Sequence, residues 1–413
     1  MTSKSEGLCS VVIAFLCCAA LLGLDGCGIS STTSPSGRNS QVNADSAAAI
    51  KGEDSQPASS NSAAAIGHVF VIILENKGYA NTFASNSLAP YLAQTLPKQG
   101  ALVQNYYGVG HVSLDNYIAM ISGQGPNPIT QSDCQIFQEF AGSTPISALD
   151  GQAPGVGCVY PASVPNITDQ MKSKLVTWRG YMESMGNVLT RESATCGHPA
   201  INSQDPTQTA TAQDSYATRH NPFVYFHSVI DNQSYCDAHV VNLKQLETDL
   251  SSAAMTPQFT FITPDLCHDG HDAPCANGDA GGLKSVNDFL MIWVPKILAS
   301  PAYQQDGLLI ITFDESDGPQ SDASACCAPT GPSVNSPLPG ITGLGGGKVG
   351  AVMLSTFIRP GTVSTTNYNH YSMLRTLEDI YGLSYLGYAG ASGSQSFGSD
   401  IFTQKIPKFP PKN

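Results

Sequence analysis

The sequence predicts an α/β fold in which a mainly parallel sheet is covered by helices, and three stretches carry that reading. Val69 to Leu74 is an unbroken apolar run, rich in β-branched residues, that ends directly in Glu75 and Asn76. A short apolar run bounded by polar residues is the pattern of a strand buried on both faces, which a parallel sheet between helices provides. The design repeats downstream, where Leu308 to Phe313 ends in Asp314 and Glu315. Just before it, Val286, Phe289, Leu290, Trp293, Val294, Ile297 and Leu298 form a helical stripe, kinked at Pro295, that packs on the sheet.

Ligands of such sheets sit at the carboxyl ends of the strands. The two runs therefore deliver Glu75, Asn76, Asp314 and Glu315 to one edge. An oxygen-rich set of this kind suits a hard or borderline divalent metal ion, which is the expected cofactor. The competing reading is that each acid merely caps the helix that follows it.

Taken from the start, Met1 to Gly26 is a targeting segment. Lys4 precedes the apolar run Val11 to Leu24, which stops at Leu24-Asp25-Gly26-Cys27. That spacing resembles a bacterial lipobox, with Cys27 lipidated as the mature N-terminus; plain secretion is the alternative. The run is shorter than the roughly 20 residues that span a bilayer. The protein is thus expected to be exported and lipid-anchored to the envelope, at the periplasm or cell surface, or secreted. Residues 28–66 are rich in Ser, Ala, Asn, Thr and Gly and hold no aromatic residue, so they cannot offset the entropy of ordering. They read as a tether of about 35 Å mean span, leaving 67–413 as the folded domain.

The net charge of −13 argues against a nucleic-acid partner, because phosphate contacts need clustered Lys and Arg. Of the 12 cysteines, four fall in the segment ending at Cys27. The remaining eight, in an exported chain, point to disulfides, with Cys134 and Cys158 a plausible staple. A structural zinc in the segment Cys267 to Cys275 is the rival.

After the first strand, Leu88, Tyr91, Leu92, Thr95 and Leu96 form a core-facing helical stripe closed by Gly100, and a strand follows from Ala101 to Tyr107. Glycines at 108 and 110 then precede Ser113 at the head of an apolar helix. A hydroxyl there meets the free first-turn N–H groups, which stabilise an anion; Ser113 is equally suited to be an N-cap. Further strands are predicted over Leu175 to Tyr181, Gln258 to Thr263 and, as the last, Val349 to Ile358. His220 precedes an apolar run and can touch a substrate phosphate. The cluster His268-Asp269-Gly270-His271-Asp272 follows a strand, and His271, with His268 as the alternative, reads as a phosphate-binding or acid group. His370 opens a helix near the sheet edge and can reach the site.

The order of these motifs carries a resemblance. L-E-N at 74–76, S-x-x-N-Y-I-A-x-I-S-G from Ser113, H-N-P-F from His220, P-D-x-x-H-D-G-H-D from Pro264, F-D-E at 313–315 and N-H-Y-S-x-L-R-T-L-E from Asn369 are similar to the phosphoesterase family of bacterial acid phosphatases and phospholipases C. The resemblance covers His68 to Leu383 and implies the alkaline-phosphatase-like three-layer α/β/α fold. It implies Ser113 as nucleophile, Glu75, Asn76, Asp314 and Glu315 as metal ligands, and Asn116 on the substrate side with His220 and His370. One departure is Asp115, which stands where the family usually has Pro. The activity expected is metal-dependent hydrolysis of a phosphomonoester through a phosphoseryl intermediate, on a small phosphate ester or a phospholipid headgroup such as a phosphoinositide. A phospholipase C-type phosphodiesterase is the alternative, and a non-catalytic surface-binding lipoprotein is a third reading.

Overall fold

The computed structural model describes residues 65–142, 150–327 and 344–403. The targeting segment, nearly all of the tether and the middle of the loop after Glu315 lie outside the described residues. The chain forms a sheet of eight strands: His68–Leu74 (β1), Ala101–Val103 (β2), Trp178–Met182 (β3), Val240–Asn242 (β4), Phe259–Thr263 (β5), Gly307–Phe313 (β6), Ala351–Ser355 (β7) and Thr362–Ser364 (β8). Their spatial order is β8-β2-β7-β6-β1-β5-β3-β4. Only β7 runs against the rest, pairing antiparallel with β6 and β2 while the other neighbours are parallel. This is the mainly parallel sheet that the sequence predicts.

Every residue of β1 and of β6 is buried. Successive side chains of a strand point to opposite faces, so both faces of the sheet are covered. The helices that matter for the site are Ser113–Ser122 (α1), Gly282–Ala299 (α2) and His370–Tyr381 (α3). All of α1 is buried, and it packs against α3. α2 passes through Pro295 as expected and buries Val286, Phe289, Leu290, Val294 and Ile297.

Four expectations need correction. The stripe from Leu88 to Leu96 is a single π turn, Tyr91–Thr95, followed by a 3-10 turn, Leu96–Lys98, because Pro97 has no N–H to continue a helix. Leu92 and Leu96 are buried, whereas Leu88 is exposed. The strand over 101–107 divides into β2 and Tyr106–Tyr107, which pairs instead with Tyr368–Asn369. The strand over 175–181 begins only at Trp178, since Leu175 ends the preceding helix with a left-handed backbone at φ 57°. The strand over 349–358 is shorter, and it is followed by β8.

All eight cysteines outside the N-terminal segment are bonded, as Cys134–Cys158, Cys196–Cys236, Cys267–Cys275 and Cys326–Cys327. The zinc alternative for 267–275 is thereby excluded, since both sulfurs are used. The Cys196–Cys236 bond closes a loop with a sequence separation of 40. Replacing both of these cysteines by Ser should lower the unfolding free energy by about 2–4 kcal/mol in denaturant titrations. A change within error would show that the loop is held by its packing alone.

Candidate active site

The site begins with a register. Leu74 of β1 stands opposite Phe313 of β6, so the next residues, Glu75 and Asp314, leave the sheet side by side. Both are fully buried. The chain turns out of β1 at Asn76, whose φ of 52° lies in the left-handed region that Asn tolerates better than most residues. Its backbone N–H donates to Asp314 Oδ1 at 3.1 Å. One end of its side-chain amide lies 3.0 Å from Glu75 Oε2 and 3.3 Å from Asp314 Oδ1.

Ser113 is the first residue of α1, and Val112, not Ser113, occupies the cap position. The hydroxyl is therefore not spent on capping. Ser113 Oγ–H donates to Glu75 Oε2 at 2.7 Å, and one turn later Tyr117 Oη–H donates to Glu75 Oε1 at 2.6 Å. Residues four apart share a helix face, so α1 grips both oxygens of one carboxylate. The turn before it depends on close approach: a Cβ on Gly108 would fall 2.6 Å from the carbonyl oxygen of Asp314.

Asn116 is occupied in holding this turn. Its Oδ1 accepts from the N–H groups of Val109 and Gly110, and its Nδ2 donates to the carbonyls of Gly110 and Val112. Nothing of the amide remains for a substrate, which corrects that expectation. The first-turn N–H of Leu114 is also taken, by Asp133 Oδ1 at 3.0 Å.

Glu315 follows Asp314 beyond the end of β6 and is buried, with its carboxylate against His111 Nδ1. His370 lies behind the site, fully buried: Nε2 lies 2.6 Å from the carbonyl oxygen of Asp314 and Nδ1 lies 3.0 Å from Tyr106 Oη. Burial pushes its pKa down to about 4, so the ring is neutral. Assigned from those partners, Nε2 carries the proton and donates to Asp314, while Nδ1 accepts from the tyrosine. His370 thus positions Asp314 and has no nitrogen left for a substrate.

The two histidines of the downstream cluster part company. His268 lies 3.0 Å from Glu183 and 3.3 Å from Asp265, and its bonds to Asp265 and Glu183 raise its pKa to about 11. It is held as a cation in a separate ionic cluster, which removes it as a general acid near neutrality. His271 stays half-buried, with its backbone N–H donating to Asp269 Oδ1 at 2.7 Å, its Nδ1 2.8 Å from Asp272 Oδ1 and its ring 6.2 Å from that of His220. His220 is buried and stacked on Tyr117, with Nε2 3.4 Å from Glu75 Oε1 and Nδ1 3.3 Å from Asp269 Oδ2. Both nitrogens face buried carboxylates, and neither makes a hydrogen bond. Tyr117 and Asp269 were not anticipated from the sequence.

Burial, then the nearby Asp314 and Asp269, hold the carboxyl of Glu75 well above the usual range. Burial likewise raises Asp269, and it raises Asp314 to about 6. Asp115 is buried among them, and burial, then Asp133 and Asp314, raises it too. Asp314 Oδ2 is buried without a hydrogen-bond partner. Buried acids with unpartnered oxygens and an amide end between two carboxylates are what a divalent cation would complete, so the donors fit the expected metal. Glu75, Asn76 and Asp314 would hold it.

Fold and site together place the chain among α/β proteins that gather a hydroxyl and several carboxylates at the carboxyl edge of a parallel sheet. It belongs to the phosphoesterase family, whose model matches residues 85–384. A probable acid phosphatase of Kluyveromyces lactis is 28% identical over 327 residues, which are 78% of this chain and 60% of that protein. The chain thus spans less than two thirds of that relative's length. A phosphatidylinositol-3-phosphatase of Mycobacterium tuberculosis is 24% identical, over 78% of this chain and 79% of that protein. Among solved structures, a protein in the alkaline phosphatase superfamily from Vibrio parahaemolyticus superposes with a TM-score of 0.46 at 12% identity, covering 82% of this chain and 72% of the other.

The raised acids give the metal-free protein a defined pH response. Because folding raises the pKa of Asp314, its stabilising contribution is complete below its unfolded value near 4 and is lost as pH rises through about 6. The loss is on the order of 3 kcal/mol. Melts of chelator-treated protein should show a Tm that falls between pH 4 and 7, with part of the slope absent in Asp314→Asn. Added divalent cation should raise Tm more at pH 7 than at pH 4.5; an equal rise at both would separate metal binding from these carboxylates.

Proposed function

We propose that the chain is a metal-dependent phosphomonoesterase of acid phosphatase type, with Ser113 as nucleophile and a phosphoseryl intermediate. The observation that carries this is the bond from Ser113 Oγ–H to Glu75 Oε2, at the point where two strands deliver their acids. A binding module has no need of a hydroxyl so placed, which weighs against a silent surface protein. The names of the relatives support ester hydrolysis, and that of the mycobacterial one supports a phosphoinositide headgroup as one substrate class.

Ser113 already aims its proton at Glu75, so its oxygen is free to attack phosphorus while the proton moves to the carboxylate. The bond from phosphorus to the ester oxygen breaks, and the leaving alkoxide takes a proton from His271, the half-buried histidine of the cluster. Water then attacks the phosphoserine and gives a proton to His271, the bond from phosphorus to Ser113 Oγ breaks, and Ser113 recovers its proton from Glu75 as phosphate leaves. A divalent ion, when bound, supplies charge to stabilise the transferring oxygens. Asn116, Tyr117 and His370 orient Ser113, Glu75 and Asp314 without touching the substrate.

The segment 1–27 is read as an export signal with lipidation at Cys27, and 28–66 as the tether to the envelope. Among the described residues no helix is long and apolar enough to cross a membrane. The mass of the mature N-terminal peptide decides between a lipid on Cys27 and plain secretion.

Ser113→Ala should lower kcat/KM on an aryl phosphate by about three orders of magnitude or more, and exhaustive chelation should abolish the parent's activity reversibly. His271→Ala should cost about 10²–10⁴ in kcat on alkyl phosphates and much less on an aryl phosphate, whose leaving group needs no proton. An undiminished rate in Ser113→Ala would remove the mechanism. Strong preference for a choline-type phosphodiester over the monoester would move the assignment to a phospholipase C.

A further inference from the structure

The described chain begins at Ala65 and enters β1 at His68. There the N–H of Val69 donates to the carbonyl of Gln258, and that of Phe259 to the carbonyl of Thr177, so the start of β1 borders the loops that lead into β5 and β3. Residues 65–67 thus leave the body at the amino edge of the sheet. The acids of the site stand beyond the other end of the same strand, whose seven residues span about 23 Å.

Beside that exit, between the helix Ile167–Lys174, the start of β3 and the loop into β5, lies an open cleft of about 440 Å³. Tyr235 and Trp178 line it, with Trp178 Nε1–H donating to Tyr235 Oη at 3.0 Å. The rim is apolar and cationic. Leu175 is 71% exposed and Met255 49%, while Lys172 Nζ stands 4.5 Å from the centroid of the Tyr235 ring and Lys174 is exposed beside Leu175. Leu175 occupies a left-handed helix end, a position that Gly or Asn fills at less cost, so an apolar side chain is held in water there without a packing reason. Among the described residues the ion pairs of lysine are Lys284–Asp288 and Lys296–Glu247, which leaves the charges of Lys172 and Lys174 unpaired. The acids near this edge are already engaged: Asp249 with Arg179, Asp306 with His68, and Asp169 in capping its own helix.

We propose that this amino edge, centred on Leu175, Met255, Lys172 and Lys174, docks on an anionic lipid bilayer, the one to which the tether leads, and that the active site therefore opens away from it. A chain of net charge −13 is repelled by an anionic surface except where free cations gather, and here they flank two exposed apolar side chains, the pairing that a headgroup boundary accepts. A small patch suffices, because a tether of about 35 Å mean span keeps the body at an effective concentration in the millimolar range. The inference rests on the export and tethering read for residues 1–66 and not on the chemistry at Ser113. It selects phosphate esters in solution over headgroups of the bilayer beneath.

The test is orientation. Full-length protein, carrying its own N-terminal segment, is reconstituted into vesicles of phosphatidylethanolamine and phosphatidylglycerol with brominated acyl chains, and a fluorophore is placed on Leu175→Cys or on Leu189→Cys. Leu189 is 72% exposed and lies in the loop that follows β3 at its carboxyl end, so it reports the opposite edge. The lipid should quench the probe at 175 and spare the one at 189. Lys172→Glu combined with Lys174→Glu should lower the quenching at 175 about fivefold or more, and phosphatidylcholine vesicles should do the same. Met255→Cys gives the same reading if the Leu175 variant fails to fold. Equal quenching at the two edges, or more at 189, overturns the docking. So does turnover of a phosphoinositide in the carrying vesicle at the rate of an aryl phosphate in solution. A chain that floats with the vesicles but is quenched at neither position keeps its anchor and loses the docking surface; a chain without lipid on Cys27 that is still quenched at 175 does the reverse.

Discussion

The burial of several carboxylates at one point is the constraint from which the rest of this structure follows. Glu75 and Asp314 reach that point because Leu74 and Phe313 share a register in the sheet, and Asp269 arrives from the loop after the neighbouring strand, its carbonyl oxygen accepting from the N–H of Glu75. Like charges in a dry site repel and are poorly solvated, so each raises the pKa of the others. A fold that keeps such a cluster does so at a cost in stability, which protonation of the acids or a bound cation offsets.

The surroundings are arranged to hold these acids still. α1 fastens both oxygens of Glu75 through two hydroxyls one turn apart, α3 fixes the carbonyl of Asp314 through His370, and Asn116 ties the glycine turn to the first helix residues. Each contact is made by a residue on a regular element or by a side chain whose polar atoms are all engaged. Tight support of this kind keeps reacting groups within the small tolerances that catalysis requires.

Much of this was legible in the sequence. The apolar runs ending in acids gave both central strands and their outputs, because burial on two faces leaves a pattern that no loop imitates. The resemblance implies Ser113 as nucleophile and Glu75 as a metal ligand of one site, and in the structure Ser113 Oγ–H donates to Glu75 Oε2. The resemblance implies Glu315 as a further ligand, and in the structure its carboxylate lies against His111 Nδ1. Tyr117 was readable from its i+4 spacing to Ser113 and was passed over. His220 is legible as a candidate phosphate contact, but its place between Glu75 and Asp269 is not, since that meeting depends on loops far apart in sequence. The π turn at Tyr91 and the division of the 101–107 strand were lost for a similar reason: short irregular pieces take their shape from neighbours, not from their own periodicity.

One of the disulfides has a bearing on how this sheet meets other chains. β4 is an outermost strand, and its backbone would be open to pairing with a strand of another molecule. Instead Thr195 bridges to Val241, and the N–H of Cys196 donates to the carbonyl of Val240. The bond from Cys196 to Cys236 pins that covering segment in place. At the other margin β8 is only three residues long. Both margins are thus blunted against edge-to-edge aggregation. On one of them the protection depends on an oxidised sulfur pair, so a chain still reduced would carry an open edge until that bond closed.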